Sequence, residues 1–166
     1  NPRMTIGNII MEPLEVFESA LSREEKLSKM RDIMRLVGLN PNMANRYPNE
    51  FSGGQCQRVS IARAMILNPR LIICDEAVSA LDVSIKAQII NLLRKLQRET
   101  GVSIIFISHD LSIVRQISHR VMVMYLGKIM EISSASEIFG TPRHPYTKVL
   151  LEAIPRPDPA YESFSS

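Results

Sequence analysis

The stretch Leu71-Ile72-Ile73-Cys74-Asp75-Glu76 is an apolar run that ends in two carboxylates. Residues 102–107 form a second apolar run, rich in β-branched side chains, and His109 follows it closely. Between the two runs, apolar side chains recur at helical spacing over residues 85–96, and Gly101 ends that pattern. This strand–helix–strand order predicts two parallel strands, each buried on both faces, in a sheet that helices cover.

The residues before this unit are predicted to be helical. Ser22 and Glu25 fit a capping box, and apolar residues follow at helical spacing until Gly38 ends the helix. Methionine is frequent in this region, and filling of the core is the expected reason. A further helix is predicted from Ser52 to Asn68-Pro69.

The residues after the second strand are predicted to form a short helix, a hairpin and one more helix. The expected bounds are 111–117 for the first helix, 121–125 and 128–132 for strands joined through Gly127, and 146–153 for the last helix. Beyond Pro155, repeated prolines predict an extended or disordered tail.

The bulk properties indicate an ordinary globular protein. The chain has 166 residues, the length of one domain with a sizeable core. Its net charge of +3 is small and its basic residues are spread out, which indicates a solvated surface rather than a nucleic-acid partner. Cys56 and Cys74 lack a metal-ligand spacing and are expected to be reduced thiols. No apolar run reaches the about 18 residues that span a bilayer, so membrane association would come through a partner.

Ser52-Gly53-Gly54-Gln55 has two interpretations. Ser-x-x-Gln is a capping-box pattern, typical of an ordinary helix start. Two glycines in a first helical turn are unfavourable by about 1 kcal/mol each against alanine, and they allow another molecule to approach the backbone. Because a helix N-terminus presents unpaired N–H groups, a phosphate would fit there. The pattern alone favours neither interpretation.

Polar side chains follow both apolar runs. They would lie at the carboxyl ends of parallel strands, which is where ligands bind in such sheets. One carboxylate of Asp75 and Glu76 can hold a magnesium ion, and the other can orient or deprotonate a water. The plainer interpretation is a strand that ends in solvent with two charges. His109 can donate a hydrogen bond to phosphate charge, whereas His119 and His144 are expected to be structural.

One part of a nucleotide site does not occur in these 166 residues, because no Gly-rich loop ends in Lys-Ser or Lys-Thr. The sequence also begins Asn1-Pro2-Arg3, without an initiator methionine. We therefore expect these residues to be part of a longer protein.

In order and interval, these pieces resemble the ATP-binding subunits of ABC transporters. Ser52-Gly53-Gly54-Gln55 is similar to the signature loop of that family, and residues 71–76 resemble its Walker B strand and catalytic glutamate. Ser79-Ala80-Leu81-Asp82 resembles the D-loop, and His109 resembles the switch histidine. The resemblance covers essentially the whole chain.

Residues 1–6 and 141–147 resemble the oligopeptide/dipeptide importer branch, and a nickel importer shares much of this pattern. Three positions depart from the family. Phe51 replaces the usual leucine, Cys56 stands where a polar or basic residue is common, and Ala77 replaces a proline, which would loosen the turn after the glutamate.

The resemblance implies an α/β fold, the P-loop NTPase-like fold of an ABC ATPase, with a parallel sheet flanked by helices and a helical subdomain. Residues 1–50 would form the helical subdomain, with the signature-loop helix from 51. Residues 51–133 would form the C-terminal part of the RecA-like core, and residues 134–166 the C-terminal helices and an extended tail. The first strands of the family's sheet would precede residue 1, so exposed apolar faces are expected on the strands present here.

The resemblance also implies an ATPase that powers peptide uptake and uses ATP with Mg²⁺. In the family, two subunits close head to tail, so the signature loop of one contacts ATP held by the other. Asp75 would bind Mg²⁺ through water, Glu76 would activate the hydrolytic water, and His109 would stabilise the transferring phosphoryl group. The residues implied in nucleotide binding are Ser52, Gly53, Gly54, Gln55 and Asp82. Asp82 would also couple the two sites.

The implied partners are a second ATPase subunit, identical or not, two transmembrane permease subunits and, indirectly, a periplasmic or extracellular solute-binding protein, with no nucleic acid. The protein would lie peripherally on the cytoplasmic face of the inner membrane. Two alternatives stay open. One is a non-catalytic regulatory or interaction module with an ABC fold, and the other is a soluble ABC ATPase that acts on nucleic acid or ribosomes. A Gly-rich loop ending in Lys-Ser or Lys-Thr upstream would favour the enzyme.

Overall fold

A computed structural model describes residues 2–153, which divide into two compact units after Ile107. The first unit contains α1 (Ile6–Phe17), α2 (Arg23–Leu36), α3 (Gly53–Met65), β1 (Leu71–Asp75), α4 (Val83–Thr100) and β2 (Ser103–Ile107). The second contains α5 (Leu111–Ile117), β3 (Arg120–Tyr125), β4 (Lys128–Ser134), α6 (Ala135–Gly140) and α7 (Pro145–Glu152). The tail predicted beyond Pro155 lies outside the described residues, and the three-part domain division stays a prediction.

Helix α2 begins and ends where the sequence predicts. Ser22 Oγ accepts a hydrogen bond from the Glu25 N–H at 3.3 Å, and the Glu25 carboxylate accepts one from the Ser22 N–H at 2.8 Å. Gly38 follows the helix with a φ of 76°. Because a left-handed residue just after a helix favours glycine, Gly38 is a natural stop. Both the capping box and the stop are confirmed.

Helix α1 is held to its neighbours by apolar packing and by ion pairs. The Lys26 ammonium, on α2, lies 2.6 Å from the Glu15 carboxylate, and Lys29 pairs with Glu18. The Arg63 guanidinium, on α3, lies 2.8 Å from the Glu12 carboxylate. The buried apolar side chains of these helices include Ile6, Ile10, Leu14, Met30, Met34 and Met65. The methionines therefore fill the core, as predicted.

Strands β1 and β2 pair in parallel, with Leu71 opposite Ser103 and Asp75 opposite Ile107, and the chain passes between them through α4. The predicted strand–helix–strand unit is confirmed. The prediction that both strands are buried on two faces was wrong. Ile72 is buried, but Ile73 is 64% exposed and Ile105 is 47% exposed. One face of this two-stranded sheet has no covering layer among the described residues, so alternate side chains point to solvent.

Strands β3 and β4 form the predicted antiparallel hairpin. Tyr125 pairs with Lys128, so the connection has two residues, Leu126 and Gly127, with φ angles of 48° and 75°. Positive φ at both central residues is typical of a type I′ hairpin turn, and glycine adopts it without steric cost. The hairpin packs against α5 and α6 through a small core of Val114, Val121, Val123 and Ile138.

The segment 141–147, which the sequence links to one importer branch, is a structural anchor for α7. The Glu131 carboxylate, on β4, accepts hydrogen bonds from the backbone N–H groups of Arg143 at 2.9 Å and His144 at 3.1 Å. His144 Nδ1 accepts from the Tyr146 N–H at 3.1 Å and so caps the helix. The Tyr146 ring lies 4.6 Å from the Tyr125 ring, centre to centre. The structural interpretation of His144 is therefore confirmed.

The Glu131 anchor predicts a local pH dependence. The backbone N–H of Arg143, followed by other hydrogen bonds, lowers the pKa of Glu131 below its ordinary value. A lowered pKa in the folded state gives stability that is present above the unfolded pKa and is lost as pH falls through the folded one. We expect amide exchange protection of residues 143–147 to decrease below about pH 4, relative to the rest of the second unit.

Glu131→Gln tests this expectation by hydrogen exchange. The variant should lower the protection of residues 143–147 at pH 7 and remove the extra loss in acid. Glu152→Gln, which removes a carboxylate from the exposed end of α7, is the matched control. Equal pH dependence in wild type and Glu131→Gln would contradict the anchor.

Candidate nucleotide site

The Ser52–Gln55 loop is the start of α3. Ser52 Oγ accepts from the Gln55 N–H at 3.3 Å, and Gln55 Oε1 accepts from the Ser52 N–H at 2.9 Å. The helix-start interpretation is thus confirmed, and the two side chains pair with each other. The first N–H groups of an α-helix have no partner within the helix. Those of Gly53 and Gly54 therefore point out of the N-terminal end of α3. Ser52 and Gly53 are exposed, so the anion-site interpretation remains compatible with this geometry.

Gly54 has a packing role that the sequence did not reveal. It is buried, and a Cβ added to it would lie 2.7 Å from Ile85 Cγ2 on α4. That distance is shorter than any ordinary carbon–carbon contact. A Cβ on Gly53 would lie 3.4 Å from Leu81 Cδ2, which is an ordinary contact. A side chain at position 54 would therefore force Gly54 or Ile85 to move.

The two carboxylates lie at the carboxyl end of β1. Asp75 is the last residue of the strand, and the Glu76 N–H continues the ladder by donating to the Ile107 carbonyl at 3.0 Å. On the other side, Ser79 donates to the Glu76 carbonyl from its N–H at 3.2 Å and from its hydroxyl at 3.0 Å. Both acidic residues are exposed. Their side chains therefore project from a backbone that is fixed before and after Glu76.

Glu76 adopts a backbone conformation that is unusual for a residue with a side chain. Its φ is 49°, in the left-handed region. This conformation costs roughly 1–2 kcal/mol for a residue other than glycine, and such residues concentrate at functional sites. Hydrogen bonds from Ser79 to the Glu76 carbonyl hold the turn that follows Glu76, even though Ala77 stands there in place of proline.

Asp82 is the N-cap residue of α4, yet its side chain makes no capping hydrogen bond. It is exposed and stands at the positive end of the helix dipole. Magnesium binds to one or two carboxylates together with phosphate oxygens and water. Asp75 and Glu76 offer that kind of donor set. Among residues 2–153, no group of three or more His, Cys, Asp and Glu side chains is arranged to hold a metal ion.

His109 belongs to the second unit. It lies between the end of β2 and the start of α5, where the Asp110 carboxylate accepts from the Ser112 N–H at 3.1 Å and caps that helix. His109 is exposed. The structure thus places Asp75 and Glu76 together, and the proximity of His109 to them stays a prediction.

Arg58 ties the signature-loop helix to the helical region before it. Its guanidinium Nη1 donates to the Val37 carbonyl at the end of α2 at 2.6 Å, and Nη2 lies 3.5 Å from Gln88 Oε1 on α4. The sequence shows an arginine after the loop, but it does not show these acceptors because they are distant along the chain.

Comparison with known proteins agrees with the fold and the motifs. The family model described as ABC transporter matches residues 1–79, and the model described as oligopeptide/dipeptide transporter, C-terminal region, matches residues 130–165. A solved structure, the dimeric post-hydrolysis state of the ATP-binding cassette MJ0796 bound to ADP and Pi, has a TM-score of 0.69 and 32% sequence identity. The similarity covers 81% of this chain and 58% of that chain. The α/β fold of an ABC ATPase is thereby confirmed.

Two curated relatives are named as oligopeptide transport proteins. The chain is 60% identical over 162 residues to the oligopeptide transport ATP-binding protein OppF of Salmonella typhimurium, covering 98% of this chain and 48% of the relative. It is 53% identical over 162 residues to OppF of Bacillus subtilis, covering 98% of this chain and 53% of the relative. The chain therefore spans about half the length of these relatives. The resemblance to ABC transporter ATP-binding subunits of the oligopeptide/dipeptide branch is confirmed.

Proposed function

We propose that these residues are part of the ATP-binding subunit of an ABC importer that takes up oligopeptides. The observation that carries the proposal is the fixed backbone of Glu76 at the carboxyl end of β1, one residue after Asp75 and in the same unit as the Ser52–Gln55 loop. A strained acidic residue held on both sides is poorly explained as a strand that merely ends in solvent.

The Ser52–Gln55 loop serves an ATP molecule held by the partner subunit. Its first N–H groups and the positive end of the α3 dipole face a negative γ-phosphate, while Ser52 and Gln55 contribute polar side chains. The exposure of Ser52 and Gly53 supports an intermolecular contact, since these residues are open to an approaching molecule.

The carboxylates at the end of β1, those of Asp75 and Glu76, serve the nucleotide of their own subunit. Asp75 would hold Mg²⁺ through water, and the bound ion would supply positive charge to neutralise the phosphates of the nucleotide. Glu76 accepts a proton from the attacking water, whose oxygen forms the new bond to the γ-phosphorus as the bond to ADP breaks. His109 donates a hydrogen bond to the transferring phosphoryl group. Asp82, exposed at the start of α4, links the two sites across the dimer.

The partners follow from the same assignment: a second ATPase subunit, identical or paralogous, two permease subunits and, indirectly, a solute-binding protein. No helix of residues 2–153 is long and apolar enough to cross a membrane. The helical region before Phe51 docks to a permease subunit on the cytoplasmic face. An open groove between α1 and α3, lined in part by Met4, Ile9 and Val59, supports this docking.

Transport in vesicles tests the proposal. The full-length protein, reconstituted with its permease partners and solute-binding protein, should accumulate a labelled oligopeptide inside vesicles only when ATP is supplied on the cytoplasmic side. ADP and a non-hydrolysable ATP analogue are the controls. ATP hydrolysis that responds to ribosomes or nucleic acid, without peptide uptake, would instead favour a soluble ABC ATPase.

A further inference from the structure

The first turns of α3 and α4 pack directly against each other. The Cβ that Gly54 lacks would lie 2.7 Å from Ile85 Cγ2 and 3.7 Å from Ile85 Cδ1. Gly54 is buried and Ile85 is partly buried. The β-branch methyl of Ile85 therefore occupies the space that a side chain at position 54 would need.

The same two helices stay in contact one turn further along. Arg58 Nη2, four residues after Gly54, lies 3.5 Å from Gln88 Oε1, three residues after Ile85. The other nitrogen of Arg58 is bound to the Val37 carbonyl at 2.6 Å. Arg58 thus links α3 to the residue that ends α2 and to α4, and Ile85 lies against Gly54 in the first turn of α3.

We propose that Ile85 is a positioning residue for the Ser52–Gln55 loop. Its Cγ2 fixes the distance between the first turn of α3 and the first turn of α4. Asp82 is the N-cap residue of α4, about one turn before Ile85, so a movement of Asp82 moves Ile85 and, through it, Gly54. This inference rests on the proposed function, since it assigns to Ile85 the coupling of the loop to the D-loop of the same subunit.

A simpler explanation for the glycine at position 54 gives a different expected result. If Gly54 only lets a phosphate approach the backbone, its replacement by alanine is harmful whatever stands at position 85. If Ile85 is the reason, shortening Ile85 makes room for the alanine methyl. The two explanations thus differ in whether a second substitution restores activity.

The test uses the full-length protein in its assembled complex and measures basal kcat, KM for MgATP and the stoichiometry of ATP binding. Gly54→Ala should lower kcat about tenfold, as expected for an overpacked contact, with KM and ATP stoichiometry unchanged. Gly54→Ala with Ile85→Ala should return kcat to the level of Ile85→Ala alone. Gly54→Ala with Ile85→Val should stay slow, because valine keeps the Cγ2 methyl.

Ile85→Ala by itself keeps the test valid should Gly54→Ala not fold. It should lower kcat about threefold with full ATP binding, and Ile85→Val should retain more activity than Ile85→Ala. A double variant as slow as Gly54→Ala alone would overturn the proposal, as would a loss of ATP stoichiometry that accounts for the fall in kcat. Because basal hydrolysis is measured, failure of peptide uptake would count against the importer assignment and leave this test intact.

Discussion

Replacing Glu76 by glutamine in the full-length protein is expected to lower ATP hydrolysis about 100-fold or more while ATP binding persists. Glutamine has the same shape as glutamate and can occupy the same position, but it cannot accept a proton from water. The backbone at position 76, with its φ of 49° and its bonds to Ile107 and Ser79, does not depend on the charge of the side chain. The substitution therefore removes one chemical property and leaves the turn in place.

The measurement is single-turnover hydrolysis together with equilibrium binding of ATP. Glu99→Gln is the matched control, because Glu99 is an exposed glutamate at the end of α4, away from the strand end. It should leave both quantities near wild type. Turnover near wild type in Glu76→Gln would show that the catalytic assignment to Glu76 is wrong.

A polypeptide of these 166 residues alone is expected to bind ATP too weakly to measure in the micromolar range and to hydrolyse none. In P-loop ATPases, the backbone and lysine of the Gly-rich loop supply most of the phosphate contacts. No such loop occurs in this sequence. Under the proposed function, Asp75, Glu76 and His109 act on a nucleotide that is already bound, and they do not replace those contacts.

Titration with ATP and Mg²⁺ by calorimetry tests this expectation. The full-length protein, measured under the same conditions, is the positive control and should bind in the usual range for the family. Binding at micromolar concentration by the 166-residue polypeptide alone would show that the residues present here form a complete phosphate site.

Most elements of the fold could be predicted from the sequence because their signals are local. The capping boxes at Ser22 and Ser52 and the helix stops at Gly38 and Gly101 each depend on residues within about one helical turn. The same holds for the hairpin turn at Gly127. No bounds were predicted for α6 within the C-terminal helical region, although Ser134 and Glu137 form a local pattern for its start, and Ser134 Oγ accepts from the Glu137 N–H at 3.2 Å.

The features that the sequence did not reveal depend on distant contacts. The apolar periodicity of the two parallel strands predicted burial on both faces, whereas the family resemblance implied the exposed apolar face that Ile73 and Ile105 show. The crowding at position 54 comes from Ile85, and the backbone of Glu76 is bonded to Ile107 and Ser79 on either side. For the candidate site, the motifs identified Asp75 and Glu76 as neighbours at a strand end, while their backbone geometry required the structure.

In the proposed dimer, Ser52–Gln55 serves a nucleotide held by the other subunit, whereas Asp75 and Glu76 serve the nucleotide of their own subunit. Photocrosslinking tests it most directly, using ATP with a photoreactive group on the γ-phosphate and a full-length dimer whose two subunits carry different tags. We expect label on residues 52–55 of one subunit to disappear when the Gly-rich-loop lysine of the other subunit is replaced, and to persist when its own lysine is replaced. Label that depends on the lysine of the same subunit would show instead that the loop serves the nucleotide of its own subunit.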